Sequence, residues 1–192
     1  MASPEPIHAH AAENLRFIRD AMSRAGEFTA VPGWGGVLMG ATALVAAWLA
    51  GRPDGSLNWV LIWLVEAGVA ATIGLVSMTR KMRRVDASRA HARRFALAYV
   101  PPLLAGMVLT PVFATSELIA RLPGCWLLMY GAAVAAGGAL SVRVVPVMGL
   151  CFMALGAIAF ATPASYQHWL MAAGFGGLHV IFGFIIARHH GG

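Results

Sequence analysis

Six stretches of this chain, 31–51, 57–78, 95–114, 124–142, 144–161 and 169–187, are each apolar for 18 to 22 residues. A helix of that length crosses a hydrocarbon core of about 30 Å, and in lipid a chain must satisfy its own backbone hydrogen bonds. The pattern predicts an all-α fold, a polytopic transmembrane helical bundle of six spans. Composition agrees: with 59% hydrophobic and 11% charged residues, there is too little polar surface to cover a soluble globule.

The basic residues predict the orientation. Arg16, Arg19 and Arg24, then Arg80, Lys81, Arg83, Arg84, Arg89, Arg93 and Arg94, then Arg143 and Arg188, fall on one side of the six spans. Arg52 and Arg121 alone fall on the other. Cytoplasmic loops carry the excess of Lys and Arg, so both termini are expected in the cytoplasm, in a bacterial inner membrane. This topology also accounts for the net charge of +6. The basic run at 79–94 has no interleaved aromatic residues on which bases could stack. Nucleic acid is therefore not an expected partner, whereas anionic lipid headgroups or a protein partner are expected contacts for its seven basic side chains.

Residues 1–28 read as a cytoplasmic tail and an amphipathic helix. Leu15, Ile18, Met22 and Ala25 recur at three- and four-residue spacing with charges on the other faces, the pattern of an interfacial helix. It either lies on the membrane surface or docks a cytosolic partner. Its mixed charge is unlike a cleavable leader, so the first span is expected to direct insertion itself. Residues 29–192 form the membrane domain.

Within the spans, small residues predict where helices meet. Gly36 and Gly40 form a small-xxx-small pair, and Gly176 and Gly183 lie on one face of the sixth span with Ala172 and His179. Close backbone approach at such residues drives association in lipid, where burying apolar side chains gives no gain. The contact is expected within the chain or in a homo-oligomer. Pro101, Pro102 and Pro111 predict kinks in the third span. Pro32-Gly33 and Gly40-Ala41 recur as Pro123-Gly124 and Gly131-Ala132, which would fit an inverted three-plus-three repeat.

Several phrases carry a resemblance: Glu13-Asn14-Leu15-Arg16-Phe17-Ile18-Arg19-Asp20, Thr29-Ala30-Val31-Pro32-Gly33-Trp34-Gly35-Gly36, Gly137-Gly138-Ala139-Leu140-Ser141-Val142-Arg143 and Gly176-Gly177-Leu178-His179. Over most of its length the chain resembles an uncharacterised family of small multi-pass bacterial membrane proteins, chiefly acidobacterial. The resemblance implies the membrane class and no activity.

Chemistry is confined to a few groups. Glu66 is the one carboxyl inside a span, where an ionised acid costs several kcal/mol, so it must be protonated, paired or open to water. Counted from the outer surface, Glu66 and His179 are each about nine or ten residues deep, roughly 15 Å at 1.5 Å per residue. That matching depth makes them a candidate midplane polar pair. Separate satisfaction, with Glu66 on a backbone carbonyl or Thr72, is the other arrangement.

No catalytic constellation is found, no metal site is expected from the adjacent His189-His190, and no cofactor is expected. Cys125 and Cys151 have no CxxC spacing and read as packing residues. The expected function is non-enzymatic, by association with itself or a partner as a membrane scaffold or signalling component. The alternative is a small proton-coupled transporter or channel using Glu66 and His179.

Overall fold

A computed structural model describes residues 30–51, 56–84, 89–115 and 118–190. The amphipathic helix expected in 1–28 lies outside the described residues, as do 52–55 and 85–88. The described residues form helices and no strand, and six of the helices are long and apolar enough to cross a membrane. They are α1 (Gly33–Ala50), α2 (Leu57–Arg84), α3 (Arg89–Ala114), α4 (Ile119–Gly138, opening with the 3₁₀ turn Ile119–Arg121), α5 (Val144–Ala161) and α6 (Ala164–His189).

The helices differ from the apolar runs where helix and membrane stop for different reasons. α2 continues past residue 78 to Arg84, and α3 already begins at Arg89. The described part of the basic stretch is therefore helical rather than loop. Arg and Lys are good helix formers, and nothing between Thr79 and Arg84 breaks the backbone pattern. α3 runs as one helical segment through Pro101, Pro102 and Pro111, the prolines for which kinks are expected. Thr110 and Thr115 donate from their hydroxyls to the carbonyls of Gly106 and Pro111, each at 2.8 Å.

α6 is composite. A 3₁₀ turn (Ala164–Tyr166) leads into α-helix (Gln167–Met171), then π-helix (Ala172–Leu178), then α-helix again (His179–His189). Gln167, almost fully buried, donates from Nε2 to the Ala159 carbonyl at 2.5 Å and ties the start of α6 to the end of α5.

Two glycine-lined contacts hold the bundle. On α1, a Cβ at Gly40 would lie 2.6 Å from the Gly176 carbonyl oxygen, and one at Gly36 would lie 3.2 Å from the Gly183 Cα. A Cβ at Gly183 would lie 2.6 Å from the Val37 nitrogen. The four glycines singled out from the sequence thus meet one another within the chain. α4 and α5 pack by the same device: a Cβ at Gly131 would lie 2.7 Å from the Met153 nitrogen, and one at Gly156 would lie 2.8 Å from the Leu128 nitrogen. Seven-residue steps, 33 to 40, 124 to 131 to 138, 149 to 156 and 176 to 183, keep each series on one helix face.

α1 packs on α2 and α6, while α4 packs on α5 and α3. An inverted repeat would give that neighbour pattern. The matched glycines do not follow it, because Gly40 meets α6 whereas Gly131 meets α5, and these two helices are not counterparts in such a repeat. Leu122, Leu127, Phe152 and Met171 are fully buried at the centre. Trp34 and Trp48, near opposite ends of α1, face outward, as belts at the two interfaces require.

Candidate functional site

Trp59, Val60, Trp63 and Glu66 make one buried stripe along α2, and the carboxyl ends it, 8% exposed. Its Oε1 lies 2.8 Å from the Thr42 Oγ1 of α1. The same hydroxyl oxygen is 2.9 Å from the Met39 carbonyl and 3.3 Å from that of Leu38. A hydroxyl has one proton, so the pairing has two forms. When Thr42 donates to Met39, Glu66 must carry a proton and donate to Thr42; when Glu66 is ionised, Thr42 donates to it. Beside the pair lies a groove of about 450 Å³ between α1 and α2, lined otherwise by apolar side chains including Val45, Leu49, Leu61, Val65 and Val69. Leu49, Leu61 and Val65 are more than half exposed, so the groove opens sideways from the bundle.

His179 has the opposite surroundings. It is 4% exposed and ringed by Tyr130, Phe152 and Phe175, with ring centroids at 5.3, 5.3 and 6.4 Å. Its Nδ1 is 2.9 Å from the Phe175 carbonyl, and its Nε2 is 2.6 Å from the Tyr130 hydroxyl. A carbonyl only accepts, so Nδ1 carries the proton; in the neutral ring Nε2 then accepts from Tyr130. Both nitrogens are satisfied. The His179 backbone N–H goes to the Gly176 carbonyl, and its ring nitrogen takes the Phe175 carbonyl one turn back.

The structure does not bring Glu66 and His179 together. Glu66 turns to Thr42, and His179 turns to Tyr130 and Phe175. Between them, Trp63, one turn before Glu66, touches Phe175 at 6.0 Å, and Phe175 stacks on His179. Equal depth places two groups at one height but not on facing sides of their helices. Thr72, the other candidate partner, donates to its own helix at Gly68 instead.

On the basic face, Arg80, Arg83, Arg84, Arg89, Arg93 and Arg94 are exposed. Lys81 departs from them. It is 8% exposed and donates from Nζ to the carbonyls of Val31, at 3.0 Å, and His190, at 2.9 Å. Its ammonium is turned into the protein rather than toward headgroups, because the last carbonyls of α6 have no helical partners and attract a cation. His189 likewise bonds its own helix, Nδ1 to the Ile185 carbonyl at 3.0 Å. Among the described residues no group of three or more His, Cys, Asp or Glu could hold a metal.

Thr42 and Tyr130 are the site residues that sequence reading missed. Both left a trace: Thr42 and Glu66 are nearly equidistant in sequence from residues 52–55, between the first two apolar runs, and a tyrosine in mid-span needs a partner for its hydroxyl.

Fold and site together define a multi-pass helical membrane protein in which Glu66, His179 and Lys81 are each bonded to other groups of the chain. The chain matches no family model, no curated protein and no solved structure.

Proposed function

We propose that this protein acts by association within the plane of the membrane, without catalysis of its own, and that the groove between α1 and α2 is where it is engaged. The observation that carries this reading is the direction in which Glu66 opens. The groove beside it is lined only by α1 and α2 and faces sideways, where a membrane-embedded molecule arrives, rather than along the bundle axis, where a solute would cross. A transport path using Glu66 and His179 together has less support, because aromatic rings fill the space around His179. The bacterial inner membrane, the cytoplasmic side for both termini and headgroup contact by the six exposed arginines belong to the same proposal and rest on the Lys and Arg bias.

The test is occupancy. In a background with Cys125 and Cys151 replaced by alanine, a spin label at Val65→Cys, on the groove rim, is compared with one at Val108→Cys, outward on α3 and 69% exposed. In pure synthetic lipid both labels should be open to dissolved oxygen. In native membranes the label at residue 65 should be shielded and that at 108 should not. Equal oxygen access at both positions in native membranes would remove the reading.

A further inference from the structure

We propose that the groove beside Glu66 is a binding site for a lipophilic amine, a basic nitrogen on an apolar body; this deepens the association reading and rests on it. The walls decide the body of the ligand. Apart from Glu66 and Thr42, the lining side chains on both helices are Val, Leu, Ile and Ala, and about 450 Å³ falls within the usual range of small-molecule clefts, which are mostly apolar with a few placed polar groups.

The carboxyl decides the head. Glu66 is more than nine-tenths buried, and among the described residues Thr42 is its one hydrogen-bonding partner. A carboxylate alone in hydrocarbon is strongly disfavoured, so the charged form needs a cation beside it. Neither wall supplies one, since α1 contributes Thr42 and α2 contributes Glu66 as the polar lining. A bare metal ion would exchange a full shell of waters for one carboxyl and one hydroxyl, too few oxygens for a hard cation. An organic ammonium needs fewer partners and brings its own apolar surface.

The site also solves the problem of arrival. The amine crosses lipid as its neutral free base, with a lone pair on nitrogen. The Glu66 carboxyl, donating to Thr42 before the ligand enters, transfers its proton to that nitrogen. A carboxylate and an ammonium result, atoms and charge balance, and no net charge enters the hydrocarbon. Thr42 then redirects its hydroxyl proton from the Met39 carbonyl, 2.9 Å away, to the Glu66 oxygen at 2.8 Å. The two hydrogen-bonding forms of the Thr42–Glu66 pair are thereby the empty and the loaded states of the site.

Dodecylamine and dodecanol, alike in chain and different in head, are the probes, with the full-length protein in nanodiscs of zwitterionic lipid. Wild-type protein should bind dodecylamine saturably, and infrared difference spectra should show the carbonyl stretch of a protonated carboxyl disappearing as it binds. Glu66→Gln should weaken dodecylamine binding by roughly tenfold or more, the worth of a charged hydrogen bond, and leave dodecanol unchanged. Val65→Trp, at a position 66% exposed on the rim where folding is not at stake, should close the groove to dodecylamine. Equal affinity for dodecanol and dodecylamine, unchanged amine binding in Glu66→Gln, or amine binding with the protonated-carboxyl band intact would each overturn the proposal. If that happens while the label at residue 65 is still shielded in native membranes, association stands with an occupant of other chemistry; if the shielding is absent too, both readings fall.

Discussion

Glu66 and His179 are both polar groups set in the middle of apolar helices, and the protein treats them in opposite ways. His179 is closed in: three aromatic rings surround it and both ring nitrogens are bonded. Glu66 is held by a single hydroxyl and stands beside an open groove. A fully satisfied buried polar group specifies packing, whereas one with spare bonding capacity beside a concavity can respond to something that enters. By this criterion His179 is part of the architecture, and Glu66 is the group on which the proposed function rests.

Substitutions can break or sharpen that contrast. The largest effect should come from Gly183→Val, because the α1–α6 contact supports both sites. The new side chain would meet the backbone of Val37, Gly33 and Gly36, at 2.6 to 2.9 Å from the Cβ, and backbone cannot give way as a flexible side chain can. Overpacking of this kind costs about 1–3 kcal/mol or more. Thermal unfolding in detergent should show a large loss, and Gly68→Val, whose Cβ would meet nothing within 4 Å, should show little. Similar losses for the two would mean that the contact does not carry the bundle.

Next should come Tyr130→Phe, which strands the buried Nε2 of His179 and should cost about 1–3 kcal/mol, the penalty of an unsatisfied buried polar group. Thr42→Val should cost less, about 0.5–1.5 kcal/mol, because Glu66 keeps an open side. If Thr42→Val proved the more damaging of the two in the same unfolding assay, the contrast between closed and open sites would be reversed. The smallest signal is the coupling between the sites. With no bond joining them, Glu66→Gln and His179→Ala should add within about 0.5 kcal/mol in a double-mutant cycle, and a larger coupling would restore them as a pair.

How much of this was legible beforehand depends on which coordinate a pattern reports. Apolar run length reports position along the membrane normal, and α5 has the bounds read from its run, Val144–Ala161. Glycine spacing reports a helix face, so Gly36, Gly40, Gly176 and Gly183 were identified together. Which face meets which neighbour is set by the whole bundle, and there depth misled: Glu66 and His179 matched in height and were read as partners, while Thr42 and Tyr130 went unread. The basic run misled differently. Charge leads one to expect Arg80 to Arg94 at a membrane surface, but it does not show that Lys81, the second basic residue of that run, points inward to two carbonyls. The π register of Ala172–Leu178 had no reading at all, since Gly174, Gly176 and Gly177 suit any tight helix contact equally well.

The contact between the first and last helices has a consequence for how the protein is made. Gly33 and Gly183, which meet across it, are separated by roughly 150 residues of chain, and synthesis at about 5–20 residues per second puts on the order of ten seconds between them. For that interval α1 is in the membrane with its glycine face bare, while α4 and α5, neighbours in sequence, can close as soon as both are inserted. The Lys81 bond to His190 comes later still. A ribosome that stops short of the last helix therefore leaves a first helix with an exposed seam, a ready mark by which quality control could tell an unfinished chain from a finished one.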